Sequence, residues 1–238
     1  MRAVVVIPTY MEYHNVGPLI ERIRALPIPP LDLFFVDDGS PDGTGRYLEE
    51  LKGKDSRIDV LHRPGKLGLG SAYREAYRTL LDKSYDGFLA MDADLSHPPE
   101  RIPALLAASD RADLVIGSRY CPGGGTRNWS AFRKLLSRSA NAISRSLLSL
   151  TVHDATAGFR FYSAKLIRAL DRLDIRSGGY AYQIEMVYYT QCLGFRTCEI
   201  PILFEERTEA KSKMNHQEVW LAASTLYRLW RHRRRGRL

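Results

Sequence analysis

The chain has 238 residues, 45% of them hydrophobic and 26% charged, with a formal net charge of +8. That composition allows a sizeable core, excludes a disordered or fibrous chain, and suits an anionic partner such as a nucleotide, a phospholipid surface or a nucleic acid. Cys121, Cys192 and Cys198 lack any metal-binding pair spacing and predict reduced thiols, and no stretch reaches the roughly 18–20 apolar residues of a spanning helix.

Residues 3–7 (AVVVI) form a continuous β-branched run, the pattern of a strand buried on both faces. Residues 16–26 have helical spacing through Val16, Leu19, Ile20, Ile23 and Leu26, and 31–36 form a second strand that ends in Asp37-Asp38-Gly39-Ser40. A helix over 44–51, a strand over 58–62, a turn at 65–70 and a helix through Leu81 come next. The strand at 88–91 ends in Asp92-Ala93-Asp94, a proline-led helix covers 98–108, and the strand at 114–116 leads into Gly117-Ser118-Arg119. Strands alternating with helices predict an α/β fold with a mostly parallel, doubly wound sheet.

Gly123-Gly124-Gly125 predicts a mobile loop. Residues 129–150 read as a long amphipathic helix, 159–162 as a strand, 163–170 and 183–193 as helices, and 196–204 as a late strand. From Glu218 the tail reads as an amphipathic helix ending in Arg231-His232-Arg233-Arg234-Arg235. With no internal repeat or dividing linker, one domain is expected. Residues 1–120 form its nucleotide-binding half, 121–215 its acceptor half, and 216–238 an arginine-rich helix.

Ligands of open parallel sheets bind beyond the carboxyl ends of the strands. Polar residues stand at four such ends: Thr9 with Glu12, Asp37 with Asp38, Asp92 with Asp94, and Ser118 with Arg119. Two carboxylates one residue apart, where the chain leaves the sheet, suit a hard cation shared with substrate phosphates. Asp37 and Asp38 suit either a base and ribose or a turn, and Asp42 suits a turn or a helix cap. No phosphate-binding glycine fingerprint follows the first strand, which disfavours dinucleotide oxidoreductases and P-loop enzymes.

Several segments together resemble the family 2 glycosyltransferases of the GT-A fold. They are Ile7-Pro8-Thr9-Tyr10, Val36-Asp37-Asp38-Gly39-Ser40, Gly68-Leu69-Gly70-Ser71, Met91-Asp92-Ala93-Asp94-Leu95-Ser96-His97-Pro98 and Gly117-Ser118-Arg119-Tyr120. Asp154-Ala155-Thr156-Ala157-Gly158-Phe159-Arg160, Gln183-Ile184-Glu185-Met186 and Lys211-Ser212-Lys213-Met214 narrow the resemblance to the branch that glycosylates polyprenol phosphates with mannose.

The resemblance implies that Pro8, Tyr10 and Glu12 border the nucleotide base with Asp38 nearby, and that Asp92 and Asp94 bind Mg²⁺ or Mn²⁺. It places Arg119, Arg133, Arg207 and Lys213 around the donor and acceptor phosphates, and Gln183 with Glu185 beneath the sugar. Met11 stands where the family usually has Asn. Ser96 stands where a Gln often supplies a third metal ligand, so it is expected to act through water. The implied reaction moves mannose from GDP-mannose to a polyprenyl phosphate with inversion; UDP-glucose is the alternative donor. The expected location is the cytoplasmic face of a membrane, with contact through the 129–150 and 218–230 helices and room for a separate membrane-embedded partner. A basic nucleic-acid-binding protein is the reading of another class; it rests on the tail alone, and no nucleic-acid partner is expected.

Overall fold

The first strand, β1 (Ala3–Thr9), is almost wholly buried and runs through the middle of a seven-stranded sheet. Its alternate residues serve two cores. Val4 and Val6 belong to one, Ala3, Val5 and Ile7 to the other, as the two-residue period of a strand requires. Both faces are covered, which is why the run shows no polar alternation.

A computed structural model describes residues 1–205 and 216–236. After β1 come α1 (Tyr13–Arg24), β2 (Asp32–Asp37), α2 (Thr44–Lys52), β3 (Ile58–His62), α3 (Leu69–Leu80) and β4 (Gly87–Ala90). A short 3-10 turn (Pro99–Arg101) then enters α4 (Ile102–Ala108), followed by β5 (Leu114–Ser118), β6 (Gly125–Arg127) and α5 (Ala131–Leu148). The chain continues through β7 (Arg160–Ser163), α6 (Ala164–Asp171), α7 (Gly179–Cys192), β8 (Thr197–Pro201), β9 (Leu203–Glu205) and α8 (His216–Arg234). Helices α1, α2 and α4 cover one face of the sheet, and α3, α6 and α7 the other.

The sheet order is β3-β2-β1-β4-β7-β5-β8. Neighbours pair in parallel except at β7, which is antiparallel to both β4 and β5. The mostly parallel α/β architecture expected from the sequence is therefore the one observed. Arg160 at the start of β7 is in register with Ala90 near the end of β4 and with Ile116 of β5. The reversed strand thus delivers the 155–160 segment to the carboxyl edge of its parallel neighbours.

Three expectations are corrected. The glycine run at 123–125 leads into a strand, because β6 pairs with β9 in a separate two-stranded sheet. The expected single strand over 196–204 is accordingly split. β8 pairs with β5, then Ile202 breaks the run by accepting the Gly125 N–H at 2.9 Å, and β9 continues beside β6. The helix expected to begin at Gln183 starts earlier, at Gly179; its residues 181–190 are buried all round, which removes the amphipathic period that would have marked its start.

Candidate active site

The chain builds outward from β1 to β2 and β3, then returns to β4 on the other side of β1. Such a switch point opens a crevice at the carboxyl ends of the strands. Here it brings together the segments after β1, β2 and β4.

On the β1–β2 side, the Asp38 N–H donates to the Thr9 carbonyl at 3.0 Å, and the Thr9 hydroxyl donates to the Val36 carbonyl at 3.3 Å. Pro8 is still within β1, opposite Val36. Tyr10 follows, with the Lys66 ammonium 4.5 Å from its ring centroid. Met11 has a φ of 61° and an exposed side chain, and its N–H donates to the Ser40 hydroxyl at 3.0 Å. A left-handed backbone at a non-glycine residue is uncommon and is held here by its neighbours. The Glu12 N–H donates to Thr44 Oγ1 at 3.0 Å, and its Oε2 accepts from Asn15 at 2.6 Å.

The two aspartates after β2 divide their work. Asp37 accepts from the Ser40 N–H and hydroxyl and so closes the turn. Asp38 accepts from Arg63 Nη1 at 2.6 Å and from the Leu67 N–H at 3.2 Å. Burial pushes the Asp38 carboxyl above its ordinary range, although the Arg63 charge pulls the other way. Asp38 was expected beside the base; both its oxygens are engaged by the protein, and it organises the 63–67 loop. Arg63, buried and immediately past β3, is the strand-end residue that sequence reasoning missed. Asp42 accepts from the Thr44 N–H and hydroxyl at the start of α2.

The Asp92–Asp94 turn leaves β4 at the centre of the crevice. His97 accepts the Asp92 N–H through Nδ1 at 3.1 Å, and its Nε2 lies 3.7 Å from Asp92 Oδ2. The ring stacks on Phe159 at 5.3 Å. Burial pushes the His97 pKa down to about 3, with help from the Arg119 charge, so the ring is neutral and Nε2 carries its proton. Gly158 keeps the approach open: a Cβ there would stand 3.6 and 3.7 Å from the Asp92 carboxylate oxygens and 3.3 Å from His97 Cε1.

Asp94 Oδ1 accepts both the N–H and the hydroxyl of Ser96, at 3.0 and 2.5 Å. Ser96 is buried, and its hydroxyl proton is committed to orienting Asp94. No group of three or more His, Cys, Asp or Glu side chains converges among the described residues. Two carboxylates fit a hard divalent cation that draws its remaining oxygen ligands from water and a diphosphate.

Arg119 differs most from expectation. Its Nε and Nη2 both donate to Asp154 at 2.7 Å, Nη2 also donates to Thr156 at 2.8 Å, and its own N–H donates to Asp154 at 3.0 Å. Only 7% of the residue is exposed. Its guanidinium lies 5.4 Å from the centroids of Tyr120 and Trp129 and 5.6 Å from that of Phe204. Instead of a cation open to phosphates, Arg119 is a clamp that fixes the 154–156 loop to the end of β5. Phe204 is a further residue that sequence reasoning missed, and Asp154, quoted there only within a motif, is a site residue it did not assign. Asp154 opens a motif that the sequence displays, but nothing local to it names Arg119 as its partner, and Phe204 carries no polar signal at all.

Arg133 lies in the first turn of α5, where its N–H donates to the capping Ser130 hydroxyl at 3.2 Å, and its guanidinium lies 4.3 Å from the Trp129 centroid. A chain of ring contacts therefore runs from Asp92 through His97, Phe204 and Trp129 to Arg133. Arg207 and Lys213 lie outside the described residues.

Gln183 and Glu185 share α7 but meet different surroundings. The Gln183 carbonyl accepts from buried Arg160 at 3.0 Å, and Arg160 also donates to the carbonyls of Ala155 and Ala157, each at 2.7 Å. Among the described residues, both polar atoms of the Gln183 amide are buried without a hydrogen-bond partner, a costly arrangement that marks an interior polar position. Glu185 is fully buried. Its Oε2 accepts the Ser177 N–H at 2.9 Å, and its Oε1 lies 2.7 Å from Arg228 Nη2 of α8. Expected beneath a sugar, Glu185 is turned toward the C-terminal helix.

Residues 4–171 match the family described as Glycosyl transferase family 2. The chain belongs to glycosyl transferase family 2. As a family member it is a glycosyltransferase. It is 44% identical over 215 residues to an undecaprenyl-phosphate mannosyltransferase of Micrococcus luteus, spanning 90% of this chain and 88% of that one. It is 43% identical over 220 residues to a polyprenol monophosphomannose synthase of Mycolicibacterium smegmatis, spanning 92% and 83%. Among solved structures, glucosyl-3-phosphoglycerate synthase from Mycobacterium tuberculosis is similar. Its complex with Mn²⁺, UDP-glucose and phosphoglyceric acid has a TM-score of 0.69 at 20% identity, over 96% of this chain and 79% of that one. A second complex, with Mg²⁺ and UDP, has a TM-score of 0.68 at 20% identity, over 96% and 79%. That likeness establishes the GT-A type of fold that family 2 members share.

Proposed function

We propose that this family 2 glycosyltransferase moves mannose from GDP-mannose to a polyprenyl monophosphate, with Mg²⁺ or Mn²⁺ held by Asp92 and Asp94. The observation that carries the reading is the pair of carboxylates leaving β4 at the switch point, the first with its backbone held by His97 and the second oriented by Ser96. The names of the Micrococcus and Mycolicibacterium relatives support the lipid acceptor and the mannosyl group. The metal complexes of the mycobacterial fold neighbour support a divalent cation. When bound, that cation supplies Lewis-acid stabilisation of the departing diphosphate.

A phosphate monoester is already ionised at neutral pH, so its oxygen attacks the anomeric carbon without a strong general base. The carbon–oxygen bond to the diphosphate breaks as the new one forms, which inverts the configuration. The protein's task is alignment and charge stabilisation. Tyr10, Pro8 and Glu12 border the base, and Arg133, Arg207 and Lys213 receive phosphates. Asp38 and Arg119 shape this pocket through Arg63 and Asp154, and Gln183 lies on its floor.

No described helix is long and apolar enough to cross a membrane. A surface position is supported by α5, where Phe132, Leu135, Ile143 and Leu147 are exposed, and by α8, where Trp220, Leu221 and Tyr227 are exposed. The cytoplasmic face is the side on which nucleotide-sugar donors are expected to be met.

The test is transfer of radiolabelled mannose from GDP-mannose to a polyprenyl phosphate, with Mg²⁺, Mn²⁺ or chelator, beside UDP-glucose as competing donor. Metal-dependent transfer, lost in Asp94→Ala, is expected. Full activity in that variant overturns the metal assignment; preference for UDP-glucose overturns the donor, and retained configuration in the product overturns direct attack.

A further inference from the structure

A cavity of about 680 Å³ opens between α7, α8 and the turn before α7. Four arginines line it, Arg176, Arg228, Arg231 and Arg235, against one carboxylate, Asp174. Asp174 is paired with Arg176, and Arg228 with the buried Glu185. Arg231 and Arg235, both exposed, line the cavity and take part in no ion pair among the described residues. Tyr189 and Tyr227 give the cavity aromatic walls, and the Arg231 guanidinium lies 5.8 Å from the Tyr227 centroid.

Converging cations between low-dielectric walls focus a positive potential. Guanidinium groups match phosphate oxygens with paired N–H donors, which a lone surface charge does not do. Tyr227 belongs both to the cavity wall and to the exposed apolar side of α8 that carries Trp220. A group entering with its phosphate inward therefore has apolar surface beside its remainder.

We propose that this cavity is a second anion site, separate from the Asp92–Asp94 crevice, that takes a phosphate-bearing group: a lipid phosphodiester headgroup or a free diphosphate. The lipid source rests on the membrane-surface reading above; the soluble source does not.

Two arms distinguish the sources. Calorimetry with inorganic pyrophosphate in the presence of chelator reads the soluble ligand. Flotation with phosphatidylcholine vesicles, with and without phosphatidylglycerol, reads the headgroup. Each arm compares the wild type with Arg231→Ala/Arg235→Ala and with Arg168→Ala/Arg234→Ala, a pair of equal charge loss outside the cavity. Binding weakened about tenfold or more by the first pair and little by the second supports the site, and the arm that shows it names the source. Equal losses in both double variants mean diffuse attraction and overturn the proposal, as does the absence of wild-type binding in both arms. Neither readout needs glycosyl transfer, so failure here and failure of the proposed activity are seen separately.

Discussion

His97 Nδ1 accepts the Asp92 backbone N–H at 3.1 Å while its ring stacks on Phe159. That bond sets the tautomer and holds the backbone of the first carboxylate as it leaves β4. Residues that orient metal-binding side chains typically change affinity or activity about 10–100-fold when removed. His97→Ala should raise the Mn²⁺ concentration for half-maximal transfer by about that factor. His97→Asn, which keeps an acceptor near the same place, should recover much of the loss. A metal titration of transfer checks both, and an unchanged midpoint in His97→Ala would show that the ring serves packing alone.

The sequence discloses some of these relationships and hides others for physical reasons. β1 is legible because a strand covered on both faces must be apolar throughout. Asp92 and Asp94 are legible because polar residues directly after such a strand stand at the ligand-binding edge. β6 and β9 are three residues each and exist only by pairing with one another across a long separation; no local period announces them. The antiparallel direction of β7 is equally silent, since a two-residue alternation is the same in either direction. The sequence puts Arg119 at a strand end, but its partner Asp154 lies 35 residues away. Glu185 stands in a motif, yet the arginine facing it comes from the tail helix. Residue type and local position are readable; the pairing that decides a charged group's role is tertiary.

The Arg119–Asp154 pair gives a pH prediction. Burial alone would raise the Asp154 carboxyl, but the Arg119 charge and its hydrogen bonds outweigh burial and hold the group below its usual range. A carboxyl with a lowered folded pKa stabilises the protein above its unfolded value, about 3.9, and loses that contribution as pH falls through the folded value. Asp154→Asn leaves Arg119 buried without its countercharge and should cost about 3–5 kcal/mol near neutral pH. The difference from wild type should begin to shrink below about pH 4, where the unfolded carboxyl takes up its proton first, and be lost as pH falls through the lower folded value. Urea unfolding at stepped pH measures it, and a pH-independent difference would refute the electrostatic account.

The exposed side of α5 gives a third. Leu135 and Ile143 are exposed, so Leu135→Glu/Ile143→Glu removes little that the folded protein packs. Its stability should change by about 0.5 kcal/mol or less per site. Recovery with lipid vesicles, and the rate on a long-chain acceptor, should nevertheless fall. Transfer to a short, water-soluble polyprenyl phosphate should be spared. Equal loss on both acceptors would mean that the helix shapes the reaction centre and does not dock on a membrane.

Arg228 and Glu185 give the fourth, because the pair joins α8 to α7 from opposite sides of a polar cluster. Arg228 also donates to the Ser177 hydroxyl at 3.0 Å, and that hydroxyl lies 3.0 Å from Thr225 Oγ1. Glu185 is fully buried, whereas the Arg228 side chain is 35% exposed. Removing the arginine strands a carboxylate in the interior, but water reaching the vacated edge offsets part of that cost. Arg228→Ala should therefore destabilise the fold by about 3 kcal/mol, the lower end for breaking a buried pair. Replacing both partners, as in Arg228→Met/Glu185→Met, should return most of that stability, because no charge is left unpaired. If the double variant regains stability but not transfer, Glu185 contributes to the reaction through the position of α7. If stability and transfer return together, the pair serves only to dock α8.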